Sequence, residues 1–402
     1  MSRAAGAEAG LLGRGARVAR VARVLLGTLA GLLLLSLSPA GAFAQNVDAE
    51  RAVASYGAMQ QNYYVPSAHL YRGGAQAYSY LWPFSQGLAA TVALADVARS
   101  YRPAVVQLLG GLGDYWKPGT PGESPPSYGS YVTGSLGPGG VTYYDDDEWV
   151  GLQLVRIYRM TGERRLLLRA QEILRLAIYG WDLDPSHPCP GGVWWTQDPE
   201  FDTRNTVSNA PAAELGLELF ELTGKRTFLA WGNRFYSWVR GCLLQPGGLY
   251  SDNVGLEGTI DPTVWIYNQG TMMGAETLLY RITHNPAYLE QAQQGAAATL
   301  QFFEAQRLEA QPSFFISIFL DNLRVFEATD SAISYRPALQ EYADWAWESE
   351  RDPQSGLFDF HHGPPEPLLE QASMVQIYAF LAAGPRLFLA PPHPHRARAA
   401  AR

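Results

Sequence analysis

Three stretches of the chain repeat one pattern of apolar and polar positions. "YRMTGERRLLLRAQEIL" from Tyr158, "FELTGKRTFLAWGNRFYSWV" from Phe220 and "YRITHNPAYLEQAQQGAAATL" from Tyr280 align without gaps at offsets of 62 and 60 residues. Each reads as helix, tight turn, helix. After the turn, apolar or small residues recur at matching places: Leu166, Leu167, Ala170, Ile173, Leu174 and Ala177 in the first copy, and Phe228, Leu229, Gly232, Phe235, Tyr236 and Val239 in the second. The third copy supplies Tyr288, Leu289, Ala292, Gly295, Ala296 and Thr299. This is helical spacing with one buried stripe. The helix before each turn, as in "APAAELGLELFELTG", is apolar around most of its circumference. An inner, enclosed helix is therefore followed by an outer one.

Looser copies extend the pattern. "SYRPAVVQLLGGLGDYW" from Ser100 and "SYRPALQEYADWAW" from Ser334 read as outer helices behind the inner candidates "LWPFSQGLAATVALADVA" and "FFISIFLDNLRVFEA". A sixth inner helix fits Glu370 to Gly384, and "VDAERAVASYGAMQQNYY" supplies a twelfth helix to close the ring. The expected fold is all-α, an (α/α)6 barrel of six helical hairpins over residues 45–390, with a disordered tail at 391–402. An open solenoid would use the same repeat, but with shorter and more regular units. Here the connections from outer to next inner helix are long and rich in Gly, Pro and Trp, and long ordered loops tend to carry function.

Arg14, Arg17, Arg20 and Arg23 precede the apolar run Val24 to Leu37, and Ala42-Phe43-Ala44 follows. This predicts a secretory signal over residues 1–44, cut near Ala44. The run is shorter than the roughly 20 residues of a membrane span, so the mature protein is expected to be secreted without one. Removing that segment takes the formal charge from -8 to -12. So acidic a chain argues against nucleic acid as a partner. Cys189 and Cys242 are the only cysteines, and export makes a disulfide possible without fixing one.

Projecting the repeat back to the start of each inner helix brings Asp145-Asp146-Asp147, Val207-Ser208-Asn209 and Tyr267-Asn268-Gln269 into register. Trp194, Trp195, Asp252 and Trp265 enter at the same end. Carboxylates, amides and aromatic faces around a concavity describe a carbohydrate site better than a nucleotide or lipid site. Metal chemistry fits the acidic block poorly. "DDDEWVGLQLVR" lacks the alternation and central Gly of a calcium loop, and no His/Cys cluster suggests zinc. Glycoside hydrolysis asks instead for two carboxyl groups flanking one bond. Neighbouring residues at a helix start diverge by about 100°, so two adjacent aspartates can do this, and their repulsion favours keeping one protonated.

"YYDDDEWVGLQLVRIYRMTG", "GGVWW", "RNTVSNAPAAELGLELFELTG" and "WIYNQGTMMGAETLLYRITH" together resemble glycoside hydrolase family 76, the bacterial and fungal endo-α-1,6-mannanases. The resemblance runs from about Tyr80 to Gln376. It implies an (α/α)6 barrel and a retaining mechanism on α-1,6-linked mannose. Tyr144 and Trp149 set the register that makes Asp145 the nucleophile and Asp146 the general acid/base. Asp147 stands where the family usually has Asn. The substrate contacts expected on this reading are Trp82, Gln86, Tyr144, Asp147, Trp194, Trp195, Asn205, Asn209, Tyr267, Asn268 and Gln269. No metal or organic cofactor is implied; the partner is an oligo- or polysaccharide resembling α-mannan, acted on by a monomer. Two alternatives stay open. One is a different sugar enzyme on the same barrel, a hydrolase of unsaturated uronyl sugars or an epimerase; an epimerase commonly uses paired histidines, of which His361-His362 and the tail His393 and His395 are the thin supply. A non-catalytic carbohydrate-binding protein would not need both Asp145 and Asp146.

Overall fold

The computed structural model describes residues 46–303, 308–332, 334–360 and 367–385. The expected signal at 1–44, the tail at 391–402 and His361-His362 lie outside the described residues. Among the described residues there are twelve α-helices: α1 (Val47–Tyr63), α2 (Leu81–Val97), α3 (Arg102–Leu112), α4 (Tyr144–Thr161), α5 (Arg164–Tyr179), α6 (Thr206–Thr223), α7 (Arg226–Leu243), α8 (Ile266–Thr283), α9 (Pro286–Phe302), α10 (Ser313–Thr329), α11 (Arg336–Trp345) and α12 (Pro367–Ala383).

The even-numbered helices form a closed inner ring, α2 against α4, α4 against α6, and onward until α12 returns to α2. The odd-numbered helices stand outside, with α1 packed on α12 as the last pair. This is the (α/α)6 barrel. Burial follows the sequence pattern: α6 and α8 are enclosed along most of their length, whereas α5 buries the predicted stripe from Leu166 to Ala177 and exposes Leu168. Each fully buried Leu or Ile in that stripe contributes roughly 1.5–3 kcal/mol.

The repeated turn has a common local cause. Thr161, Thr223 and Thr283 each donate a side-chain hydrogen bond to the carbonyl four residues back and accept the backbone N–H two residues on. Gly162, Gly224 and His284 then take the left-handed conformation that ends a helix. Between α6 and α7 the backbones meet closely: a Cβ on Gly216 would lie 3.1 Å from the Gly232 Cα. The third copy has larger residues there and a looser outer stripe, with α9 burying only Ala292, Ala296 and Thr299.

The long loops carry small antiparallel sheets that the all-α reading did not anticipate. Trp116–Lys117 pairs with Ser127–Tyr128, and Arg204–Asn205, Asn253–Val254 and Ile260–Asp261 form a three-stranded sheet. Loops folded over the barrel end bury backbone N–H and C=O groups, and short ladders satisfy them. No described helix is long and apolar enough to cross a membrane.

Candidate active site

The acidic block begins α4. Tyr143 is extended and its successor's N–H donates to the Trp195 carbonyl at 3.0 Å, so the helix starts against the loop from α5 to α6. Thr196 Oγ1 and the Gln197 N–H both donate to the Thr142 carbonyl at 2.9 Å. The first turn of α4 is thereby fixed beside the loop bearing Trp194 and Trp195.

Asp145 and Asp146 open on a cleft of about 860 Å³. One wall is aromatic: Tyr267 stacks on Phe315 with ring centroids 4.0 Å apart, and Trp265 and Trp82 lie 5.4 and 6.2 Å from the same ring. Also in the lining, Trp195 packs edge-on between Tyr143 and Phe201 at 5.1 and 5.2 Å. Asp252 and Asn205 complete the polar lining. Asn253 donates to one oxygen of Asp252 at 2.9 Å, and Asn268 to the other at 3.4 Å. Sugar rings present alternating apolar faces and hydroxyls, and this cleft offers partners for both.

The expected contacts divide in two. Trp82, Trp195, Asn205 and Tyr267 line the cleft with Asp145 and Asp146. Others do not, which corrects the sequence reading. Asn209 is fully buried: its Oδ1 accepts the Val193 N–H at 2.9 Å, and its Nδ2 donates to the carbonyls of Val193 and Asn205. Gln269 grips Tyr250 in the same way, and Asp147 accepts the Tyr128 N–H at 2.9 Å. Tyr144 is enclosed beneath Gly180, and Trp194 sits between His187 and Arg204. Gln86 pairs with Gln376 inside the barrel, in a small polar chamber separated from the cleft by Trp149 and Ile318. Asn268 reaches the site only through Asp252. In register these amides point correctly, but buried loop backbone claims them before a ligand can.

Phe315, Phe201 and Tyr143 were missed. Phe315 is the third residue of α10, so extending the repeat projection to the looser copy at "SFFISIF" would have found it. Among the described residues no group of three or more His, Cys, Asp or Glu side chains is arranged to hold a metal ion.

Burial dominates the electrostatics. It pushes Asp145 up to about 7, against hydrogen bonds from the Asp145 and Asp146 backbone N–H groups and the Trp195 indole, with the Asp252 charge adding to the rise. Asp146 is held well above the usual carboxylate range by burial and then by its neighbours Asp145 and Asp147. Asp147 and Glu148 are raised too, chiefly by burial. Glu148, which sequence alone makes an ordinary helix-start acid, is fully enclosed. Groups raised above their unfolded values stabilise the fold fully at low pH and lose that contribution as pH climbs through the folded values. Asp321, lowered in the folded state despite its burial by the charges of Arg156 and Arg324, has the opposite sign. Thermal unfolding is therefore expected to peak in Tm near pH 4–5 and fall by about 5 °C or more by pH 8. A Tm that rises steadily from pH 5 to pH 8 would contradict the enclosed acids.

The model of glycosyl hydrolase family 76 matches residues 47–355. A mannan endo-1,6-alpha-mannosidase of Saccharomyces cerevisiae is 27% identical over 151 residues, 35% of this chain and 33% of the yeast protein. The chain thus spans about a third of the length of the curated yeast relatives it matches. Among solved structures, a family 76 mannosidase of Bacteroides thetaiotaomicron superposes with a TM-score of 0.73 at 23% identity, covering 84% of this chain and 98% of that one. An inactive variant of an alpha-1,6-mannanase of Salegentibacter sp. HEL1_6, in complex with alpha-1,6-mannotriose, superposes with a TM-score of 0.68 at 21% identity, covering 83% and 99%.

Proposed function

The chain belongs to glycosyl hydrolase family 76, and from that premise we propose that it is a secreted, retaining glycoside hydrolase cutting α-1,6-mannosidic linkages in α-mannan or a related bacterial or fungal glycan. The observation that carries this reading is the pair of neighbouring, half-buried aspartates, Asp145 and Asp146, set in a cleft lined by aromatic rings. Similarity to the yeast endo-1,6-alpha-mannosidases supports the linkage. The Salegentibacter enzyme was made inactive by changing two consecutive aspartates to asparagine, which supports the catalytic pair.

In the first step Asp145 attacks the anomeric carbon while the glycosidic C–O bond breaks and Asp146 gives its proton to the leaving oxygen. In the second, Asp146 takes a proton from water, whose oxygen displaces Asp145 and restores both groups. The electrostatics favour this division of roles: Asp145 is stabilised as an anion by backbone N–H groups and the Trp195 indole, whereas Asp146, raised by burial and by the neighbouring Asp145 charge, keeps its proton. Asp252, steadied by Asn253 and Asn268, accepts hydrogen bonds from ring hydroxyls, Asn205 adds a polar contact, and Trp82, Trp195 and Tyr267 cover apolar sugar faces. Export is supported by the N-terminal sequence pattern and by the Cys189–Cys242 disulfide, which ties the loop after α5 to α7 across a Cα–Cα distance of 5.9 Å.

A panel of linkage-defined α-mannans tests the proposal. The α-1,6 chain is expected to be shortened to oligosaccharides, equally with and without a chelator, and α-1,2 and α-1,3 chains left intact. Saturable binding of α-1,6-mannan with no release of product would leave a non-catalytic binding protein instead.

A further inference from the structure

One grip recurs at the entrance to three inner helices. Asn209, Gln269 and Gln371 each take both backbone groups of a single loop residue, accepting its N–H and donating to its C=O. The paired distances are 2.9 and 3.3 Å to Val193, 2.8 and 3.0 Å to Tyr250, and 2.9 and 2.8 Å to Phe358. Such a grip needs an acceptor and a donor on one planar group, which a carboxamide supplies. Asp147 holds the equivalent place as fourth residue of α4, just as Asn209 and Gln269 are fourth in α6 and α8. Its Oδ1 accepts the Tyr128 N–H, but its Oδ2 is enclosed with no hydrogen-bond partner. A carboxylate can make only half the grip. A carboxylic acid, with a proton on Oδ2, can make all of it.

We propose that Asp147 works as a neutral carboxylic acid: a positioning residue that copies the carboxamide grip on Tyr128 and seats the Trp116–Tyr128 hairpin against the turn carrying Asp145 and Asp146. The groups around it agree. Asp145, the anion of the pair, shares its turn with the raised acids Asp146 and Glu148, so an added negative charge there meets a like charge. Lys117 faces it from the hairpin, but the ammonium is bound to the Gly140 carbonyl and Thr142 Oγ1, each at 3.2 Å. Arg169 and Glu172 of α5 stand behind Tyr128, the buried phenol of Tyr144 lies on the helix side, and none of these is ion-paired to Asp147. Burial, the largest effect, drives the Asp147 carboxyl well above the usual range, and the Tyr128 N–H and Lys117 offset this in part. Two residues on from Asp145, Asp147 points to the opposite side of the helix, toward the loop and away from the cleft.

What this grip does for catalysis rests on the assignment of Asp145 and Asp146; the grip itself does not, and a thermal test separates the two. Keeping a buried acid neutral above pH 4 costs stability that grows with pH, and an amide in its place removes that cost. Asp147→Asn is therefore expected to match the wild-type Tm at pH 4 and to exceed it by about 3 °C or more at pH 8. Asn209→Asp is expected to do the reverse, close to wild type at pH 4 and lower at pH 8. In the pH–rate profile of Asp147→Asn both limbs should stay within about 0.3 unit of the wild type, since one neutral group replaces another. A lower Tm for Asp147→Asn at pH 8, a gap that does not change with pH, or limbs displaced downward by about a unit would each show Asp147 to be charged and overturn the proposal. A pH-dependent Tm gap in a protein without glycosidase activity would sink the functional assignment and leave the grip standing.

Discussion

Asp145→Asn and Asp146→Asn are each expected to lower kcat/KM on α-1,6-mannan by ~10⁴-fold or more, the scale on which removal of one member of a concerted catalytic group acts. At pH 7 both should also raise Tm, because each exchanges an acid whose folded pKa is raised for a neutral amide. Loss of activity with a gain in stability separates a catalytic role from a structural one. A substrate with an activated leaving group distinguishes the two aspartates: it needs little protonation, so the glycosylation step of Asp146→Asn should largely recover, whereas Asp145→Asn should gain nothing. Recovery in both variants, or full activity in either, would remove the assignment.

Arg204→Leu is the second large effect, and it acts through the loop that frames the cleft. The guanidinium is fully buried, paired with Asp182 at 2.9 Å and bonded to the carbonyls of Cys189, Gly191, Pro188 and Gly255. Those carbonyls belong to turns that no strand or helix satisfies, and Arg204 itself pairs in the ladder beside Trp194 and Val254. Truncation strands the carbonyls of Pro188 and Gly191, leaves those of Cys189 and Gly255 to the Trp238 indole and the Gly258 N–H, and takes from Asp182 its buried cation, with the His187 ring at 2.9 Å and the Asp184 N–H at 3.0 Å remaining. Breaking a buried pair in this way costs about 3–5 kcal/mol. Expected readouts are a Tm lower by roughly 10 °C and faster proteolysis within residues 182–205. An unchanged Tm would mean that the Cys189–Cys242 bridge holds the loop without the arginine.

The barrel is legible in the sequence because its inner helices are apolar all round and its outer ones along one stripe, so the alternation survives even where α9 buries only three small residues. The Thr-Gly turn added register, and register placed Asp145, Asp146, Tyr267 and Trp265 at one end. Register alone does not say which partner a polar side chain finds. Asn209 and Gln269 occupy the right turns, yet the loop backbone above them offers unpaired N–H and C=O groups that a linear pattern does not display. Phe315 escaped because its copy of the repeat is the least regular. Cys189 and Cys242 meet only through the fold of a loop rich in Gly and Pro, a distance that no spacing encodes.

The most direct test of the central claim follows linear α-1,6-mannotetraose with purified protein by proton NMR during the first minutes, before mutarotation blurs the result. Double displacement at Asp145 predicts shorter mannooligosaccharides that first appear as α-anomers and equilibrate afterwards. A first-formed β-anomer would contradict Asp145 as nucleophile, and an unchanged tetrasaccharide beside a folded protein would contradict the α-1,6-mannanase reading itself.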